Sequence, residues 1–138
     1  MEKSLVLVKP DAVAQGHTGA IVARLEAEGL KLKALKMIQM DKSLAERHYG
    51  IHRDKPFFGE LVTYITSGPV TAMVLEAEGA IEKIRGIMGA TDPKKAAPGT
   101  IRAEYGIDIQ SNATHASDGP DTAKQEVALF FTAEELVG

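Results

Sequence analysis

Apolar and polar positions divide the chain into short segments of distinct period. Leu5-Val6-Leu7-Val8 is uniformly apolar and is closed by Lys9-Pro10-Asp11, which predicts a buried central strand. From Gly16 to Glu28, residues Ile21, Val22 and Leu25 recur at helical spacing and Gly29 follows, the pattern of a helix with one apolar face. Leu30 to Met40 alternates apolar with polar for most of its length, predicting a strand with one buried face and a solvated face carrying its lysines. Ser43 is placed to cap a short helix through Tyr49, and Phe57 to Ile65 has helical spacing that Ser67-Gly68-Pro69 ends. Val70 to Glu76 reads as a third strand and Ala80 to Met88 as a further amphipathic helix. Thr91 to Thr100, with two prolines and a glycine, is a loop long enough to carry function. Ile101 to Tyr105 is a short variable stretch, Asn112 to Asp118 follows, and Asp121 to Phe131 reads as a helix capped by Asp121. This order predicts an α+β sandwich with helices on one face of a small antiparallel sheet.

Composition narrows the chemistry. At 138 residues the chain is one domain's length, expected to span 1–138 and to bury about 68–70% of its unfolded surface. Apolar residues at 44% and charged residues at 25% are ordinary for a globular protein and exclude disordered and collagen-like classes. The absence of cysteine excludes disulfides, thiolate metal sites and a cysteine nucleophile. With 16 basic and 19 acidic residues the net charge is -3, which argues against holding nucleic acid by bulk charge. The first apolar run is shorter than the about 7–15 residues of a signal-peptide core, and no window reaches the ~18 of a membrane helix. A cytoplasmic protein with no membrane partner is expected.

The glycine-rich phosphate loops are missing, so any nucleotide phosphates must be held by side chains. His48 and His52 are four apart but lack the flanking glutamate of a zinc-protease helix and straddle a helix end, so no histidine metal site is expected. His115 lies in Asn112-Ala113-Thr114-His115-Ala116-Ser117-Asp118, with Glu126 in the next helix. Local composition alone favours a histidine that ends a buried strand, with Ser117 and Asp118 in a turn. A nucleophilic ring would need hydroxyl and carboxylate neighbours to fix its tautomer, and both types are nearby.

Four motifs change that balance. Leu7-Val8-Lys9-Pro10-Asp11, Tyr49 with Pro56-Phe57-Phe58, Pro98-Gly99-Thr100-Ile101-Arg102, and Asn112-x-x-His115-x-Ser117-Asp118 together resemble nucleoside diphosphate kinase, in that family's order and spacing over nearly the whole chain. The resemblance implies a ferredoxin-like β-α-β-β-α-β core. It also implies ping-pong transfer of the γ-phosphate of ATP or another nucleoside triphosphate to a histidine and then to a nucleoside diphosphate, maintaining triphosphate pools. His115 matches the nucleophile, phosphorylated at the pros nitrogen. Arg85, Thr91 and Arg102 match phosphate ligands, Lys9 and Asn112 match ribose ligands with Lys9 near the transferred group, and Tyr49 lies by the histidine. Ser117 and Glu126 match the pair that orients the imidazole, and Phe57 matches the platform on which the base stacks. Mg²⁺ is implied as cofactor, carried on the nucleotide's phosphates with no dedicated protein cage.

Two positions depart from the family pattern. Ala116 stands where glycine is usual, which puts the pose of His115 in question, and Gly119-Pro120-Asp121 replaces a serine-rich segment. The resemblance implies a homo-oligomer, a tetramer rather than a hexamer. Two other functions are weighed against the kinase. A regulatory binding protein would have no use for an oriented nucleophile. Nucleic-acid binding through Arg85, Arg102, Lys94 and Lys95 is expected to be absent or secondary.

Overall fold

The computed structural model describes the backbone of residues 1–138 and every side chain except that of Ile51. Four strands, β1 (Glu2–Val8), β2 (Lys31–Ile38), β3 (Val70–Ala77) and β4 (Thr114–Ala116), form one antiparallel sheet in the order β2-β3-β1-β4. Seven helices join them: α1 (Pro10–Ala14), α2 (Thr18–Ala27), α3 (Lys42–His48), α4 (Phe58–Ile65), α5 (Ala80–Met88), α6 (Ile101–Tyr105) and α7 (Pro120–Phe130). Removing the short or inserted elements leaves β1-α2-β2-β3-α5-β4, the ferredoxin-like order.

The uniform apolar run of β1 now has its reason. Val6 and Val8 pack with Ile21 and Leu25 of α2 and Ile84 and Met88 of α5. Leu5 and Leu7 face the other way, onto Ala45 of α3, Val62 and Ile65 of α4 and Phe130 of α7. Over Leu5–Val8 the strand is covered on both faces, so its residues are apolar without alternation. The two core helices α2 and α5 share one face, as expected; α3, α4 and α7 lie outside the six-element core and cover the other. Leu7 is fully buried and pairs with His115 across β1 and β4. Leu7→Ala is therefore expected to cost about 2–5 kcal/mol in denaturant unfolding and to lower activity as β4 loosens.

Several local expectations are corrected. The helix predicted from Gly16 to Glu28 is α2, slightly shorter at both ends, but a short helix that the pattern did not announce precedes it: Pro10 opens α1 at its first turn, and Gly16, at φ 79°, separates the two. The solvated lysine face of the second strand fails at Lys33, which is only 6% exposed. A bulge between Leu32 and Ala34 turns Lys33 inward to pair with Glu76 at 3.4 Å, and the alternation resumes in the opposite phase. Leu35 and Met37 are consequently left exposed on the edge strand. The cap of α3 is Asp41, whose carboxylate accepts from the Leu44 N–H at 2.7 Å, and not Ser43. Ile101–Tyr105 is helical, capped by Thr100, and α7 begins at Pro120 after Gly119 rather than at an Asp121 cap. Among the described residues no helix is long and apolar enough to cross a membrane.

Candidate active site

The end of β1, the start of α6, β4 and the middle of α7 meet around His115. Its ring hangs from the same sheet face as Leu7, its partner in register, and so points at α3 and α7. Nε2 lies 3.0 Å from Oε2 of Glu126. The other carboxylate oxygen of Glu126 accepts from the Ser117 hydroxyl at 2.7 Å, and that hydroxyl accepts in turn from the Leu5 N–H at 3.2 Å. Burial alone would raise the Glu126 carboxyl, but the hydrogen bonds from His115 and Ser117 outweigh it and hold the group below the usual carboxylate range. An ionised carboxylate can only accept, so in a neutral His115 the proton sits on Nε2 and the lone pair on Nδ1. The expectation that Ser117 and Glu126 orient the imidazole thus has a continuous path, from the β1 backbone to the ring.

Lys9, directly after β1, donates to Asn112 Oδ1 at 2.8 Å, and Asn112 Nδ2 donates to the Thr91 carbonyl at 3.0 Å. This chain joins three of the predicted ligands. Burial, with the positive charge of Arg102 second, lowers the Lys9 ammonium to about 8. Arg102 on α6 donates to the carbonyls of Gly89 at 3.0 Å and Thr114 at 2.9 Å, and burial followed by Arg85 lowers it to about 10. Its Nε has no partner. Three cations from β1, α5 and α6 therefore repel one another in a partly dry place, an arrangement that favours an anion. Arg85 itself is exposed on α5 and touches the group only through its field. Gly89 holds φ 85°, and a Cβ there would meet Thr100 Oγ1 at 2.5 Å, so only glycine brings its carbonyl under Arg102.

The doubt over Ala116 is resolved in its favour. It lies in β4 opposite Val6, outside the left-handed region. The one non-glycine residue at positive φ is Ala113, at 76°, a conformation costing about 1–2 kcal/mol. It is clamped by two bonds: its N–H donates to Asp11 Oδ2 at 3.1 Å, and its carbonyl accepts from the Lys9 N–H at 2.8 Å. The other Asp11 oxygen accepts from the Tyr64 hydroxyl of α4. From sequence, Asp11 only closes the first strand and belongs to the first motif, and neither it nor Tyr64 carries a site role.

Tyr49 is buried at the end of α3. Its ring lies 4.6 Å from that of His48, which is 4.7 Å edge-on to His115, so Tyr49 neighbours the nucleophile candidate through an intervening histidine. Burial, then the charge of Glu126, lifts its hydroxyl to about 12, which keeps the proton on it. Phe57 stands apart at the mouth of α4, 43% exposed, with His52 at 5.7 Å and the Lys55 ammonium at 5.9 Å. Its ring neighbours are His52 and Lys55, not the His115 group. His48 and His52 do straddle the end of α3, as expected. What spacing could not reveal is that His48, His115 and Glu126 place one ligand atom each within 4.8 Å of one another. Burial, with His115 second, pushes His48 down to about 3.

A family model for nucleoside diphosphate kinase matches residues 2–136. The chain belongs to the nucleoside diphosphate kinase family. The nucleoside diphosphate kinase of Dehalococcoides mccartyi is 56% identical over 137 residues, 99% of this chain and 96% of that protein. In crystal structures, the nucleoside diphosphate kinase of Aquifex aeolicus superposes with a TM-score of 0.96 at 46% identity over 99% of both chains. A halophilic nucleoside diphosphate kinase from Halobacterium salinarum, solved in complex with CDP, gives 0.96 at 51% identity, covering 99% of this chain and 91% of that one. Membership places the chain among phosphotransferases, a family that uses a divalent metal.

Proposed function

We propose that this chain, working as one domain, moves the γ-phosphate of ATP or another nucleoside triphosphate onto Nδ1 of His115, and from there onto a nucleoside diphosphate. The observation that carries the reading is the Leu5–Ser117–Glu126–His115 path, which leaves Nδ1 as the ring's only lone pair. In the first half-reaction that lone pair forms the N–P bond as the bridging P–O bond breaks, and the electron pair leaves on the β-phosphate of the departing diphosphate. Glu126 keeps the Nε2 proton and offsets the charge that the ring acquires. Lys9, Arg85 and Arg102 neutralise the equatorial and leaving oxygens, Thr91 offers its hydroxyl to the phosphates, and Lys9 with Asn112 meets the ribose. Tyr49 stays protonated and is the proposed donor toward the phosphate. The second half-reaction reverses the first with a different diphosphate.

Mg²⁺ is the proposed metal and enters with the nucleotide, neutralising phosphate charge. It takes an all-oxygen shell, whereas the one close trio of histidine and carboxylate side chains among the described residues is His48, His115 and Glu126, dominated by nitrogen. The cation cluster suits the phosphates, and the CDP bound by the halobacterial relative is of the proposed acceptor class. A cytoplasmic setting fits such substrates. Leu35 at 49% and Met37 at 58% exposure on the edge strand β2 suit coverage by a second copy, within a homotetramer rather than a hexamer; light scattering distinguishes these.

Mixing the protein with Mg²⁺ and ATP at neutral pH and recording its intact mass tests the reading. A gain of one phosphoryl group, discharged by any nucleoside diphosphate, is expected; an unchanged mass refutes it. Phe57 is proposed to stack on the base through its exposed face. Stacking is worth about 1–3 kcal/mol and ignores base edges, so Phe57→Ala should raise KM by about ten-fold for purine and pyrimidine diphosphates alike, with a smaller effect on kcat.

A further inference from the structure

His48 has no place in the phosphate-transfer scheme, yet it is the most poorly satisfied polar side chain next to it. Both ring nitrogens are buried and neither has a hydrogen-bond partner. The ring is wedged between Tyr49, Phe130 and His115, in edge contact with the last. Two buried ring nitrogens without a protein partner leave hydrogen-bonding capacity that a ligand can take up. Beside the ring are two groups able to share one, His115 and Glu126, whose Nε2 and Oε2 are already 3.0 Å apart. One ligand atom from each of His48, His115 and Glu126 lies within 4.8 Å of the other two.

We propose that His48, His115 and Glu126 form an inhibitory site for a borderline transition-metal ion of the Zn²⁺ class. Two imidazole nitrogens and one carboxylate oxygen are a donor set that Zn²⁺ takes readily, with a water in the fourth position. Bond lengths of about 2.0–2.1 Å in a tetrahedron separate neighbouring ligand atoms by about 3.3 Å, so the His115–Glu126 pair is already near the required spacing and a trio within 4.8 Å has about 1.5 Å at most to close. Ser117, bonded to the free oxygen of Glu126, fixes the carboxylate from behind. No acceptor supports the second nitrogen of His48, so the site is built for reversible occupancy rather than for a structural ion.

The consequence for catalysis rests on the proposed role of His115 Nδ1. The metal takes the Nε2 lone pair, and the proton that Nε2 had shared with Glu126 passes to Nδ1. The imidazole remains neutral, no proton is released from it, and the nitrogen that attacks phosphorus now carries hydrogen. Zinc would thus silence the nucleophile by exchanging its tautomer, without filling the space where the cations await phosphate.

Zinc alone is titrated into nucleotide-free, magnesium-free protein against a chromophoric chelator, with ¹⁵N-histidine spectra recorded in parallel. One zinc per chain is expected, with the ring signals of His48 and His115 shifting and those of His17 unmoved. Zinc-loaded protein mixed with Mg²⁺ and ATP should fail to gain a phosphoryl group within the first turnover, and a zinc-selective chelator should restore the gain. His48→Phe keeps the aromatic edge against His115 but has no nitrogen; it should lose the zinc while phosphorylating at the wild-type rate in zinc's presence. Equal zinc binding and equal inhibition in His48→Phe would overturn the proposal. So would unshifted His48 signals in the wild type, a readout that stands even if the variant fails to fold, or zinc bound at the trio with His115 phosphorylated at an undiminished rate. Failure of the underlying phosphohistidine reading looks different: zinc-free wild type would then gain no mass with Mg²⁺ and ATP.

Discussion

His115→Ala should remove phosphoryl transfer while leaving the sheet standing. The expected fall in kcat is on the order of 10⁵-fold or more, the scale on which enzymes with a covalent intermediate fail when the nucleophile is deleted. The other groups proposed to surround the phosphate would stabilise charge, and none can take the phosphoryl group in its place: Tyr49 holds its proton to about pH 12, and Ser117 is buried with its hydroxyl committed at both ends. The fold should tolerate the change because His115 is on a three-residue edge strand with a side chain 26% exposed, and Glu126 keeps the Ser117 hydroxyl. A stability loss of about 1–2 kcal/mol is expected from the broken bond to Glu126. A coupled kinetic assay, intact mass after ATP, and denaturant unfolding check the three statements separately. Turnover within ten-fold of wild type in a correctly folded variant would overturn the assignment of His115.

Lys9→Met should weaken catalysis and strengthen the nucleotide-free fold together. Catalysis should drop by about 10²–10³-fold, the usual cost of losing one preorganised donor at developing charge. Stability moves the other way because burial and Arg102 depress the ammonium from 10.5 to about 8 in the folded protein. Below pH 8 both folded and unfolded chains carry the charge, and the folded one suffers its desolvation in full. Between about pH 8 and 10.5 the unfolded chain binds more protons than the folded one, so wild-type stability rises with pH across that window. Lys9→Met should lack this rise, and near pH 7 it should gain about 1–2 kcal/mol, less than the shift alone implies because the bond to Asn112 is lost as well. The same group gives wild-type kcat/KM a falling limb near pH 8, which Lys9→Met should abolish. Denaturant midpoints at pH 7 and pH 10 for both proteins, with kcat/KM over the same range, make the comparison.

The parts that sequence revealed were those whose signals are local. Four apolar residues in a row at Leu5–Val8, stopped by Lys9-Pro10, fit a strand covered on both sides better than a helix, and the apolar spacing of Ala80–Met88 gave α5 its full range. Lys33 was misread because a bulge is one residue of slippage set by β3, and nothing in an alternating Leu-Lys pattern announces where the phase will break. The site followed the same division. Motif resemblance named Lys9, Arg102, Asn112, His115, Ser117 and Glu126, and the structure links most of them by hydrogen bonds. The Asp11–Tyr64 and Asp11–Ala113 bonds, and the contact of His48 with His115, join residues far apart in the chain. Their chemistry is created by folding, so a linear pattern carries no trace of it. Ala116 shows the converse: a substitution that looks damaging in a motif is harmless once the left-handed residue is located at Ala113.

The cations proposed to hold phosphate come from the end of β1, from α5 and from α6, and no two of them are close in sequence. A backbone loop that cradles phosphate can keep some affinity in a half-folded chain; this cluster cannot, since unfolding scatters it completely. Nucleotide is therefore a ligand of the native state alone, and at a hundred times its Kd it should stabilise the fold by the full linkage increment of about 2.7 kcal/mol. In a cell whose nucleotide supply falls, the protein would become easier to unfold and degrade, tying its own abundance to the pool it serves.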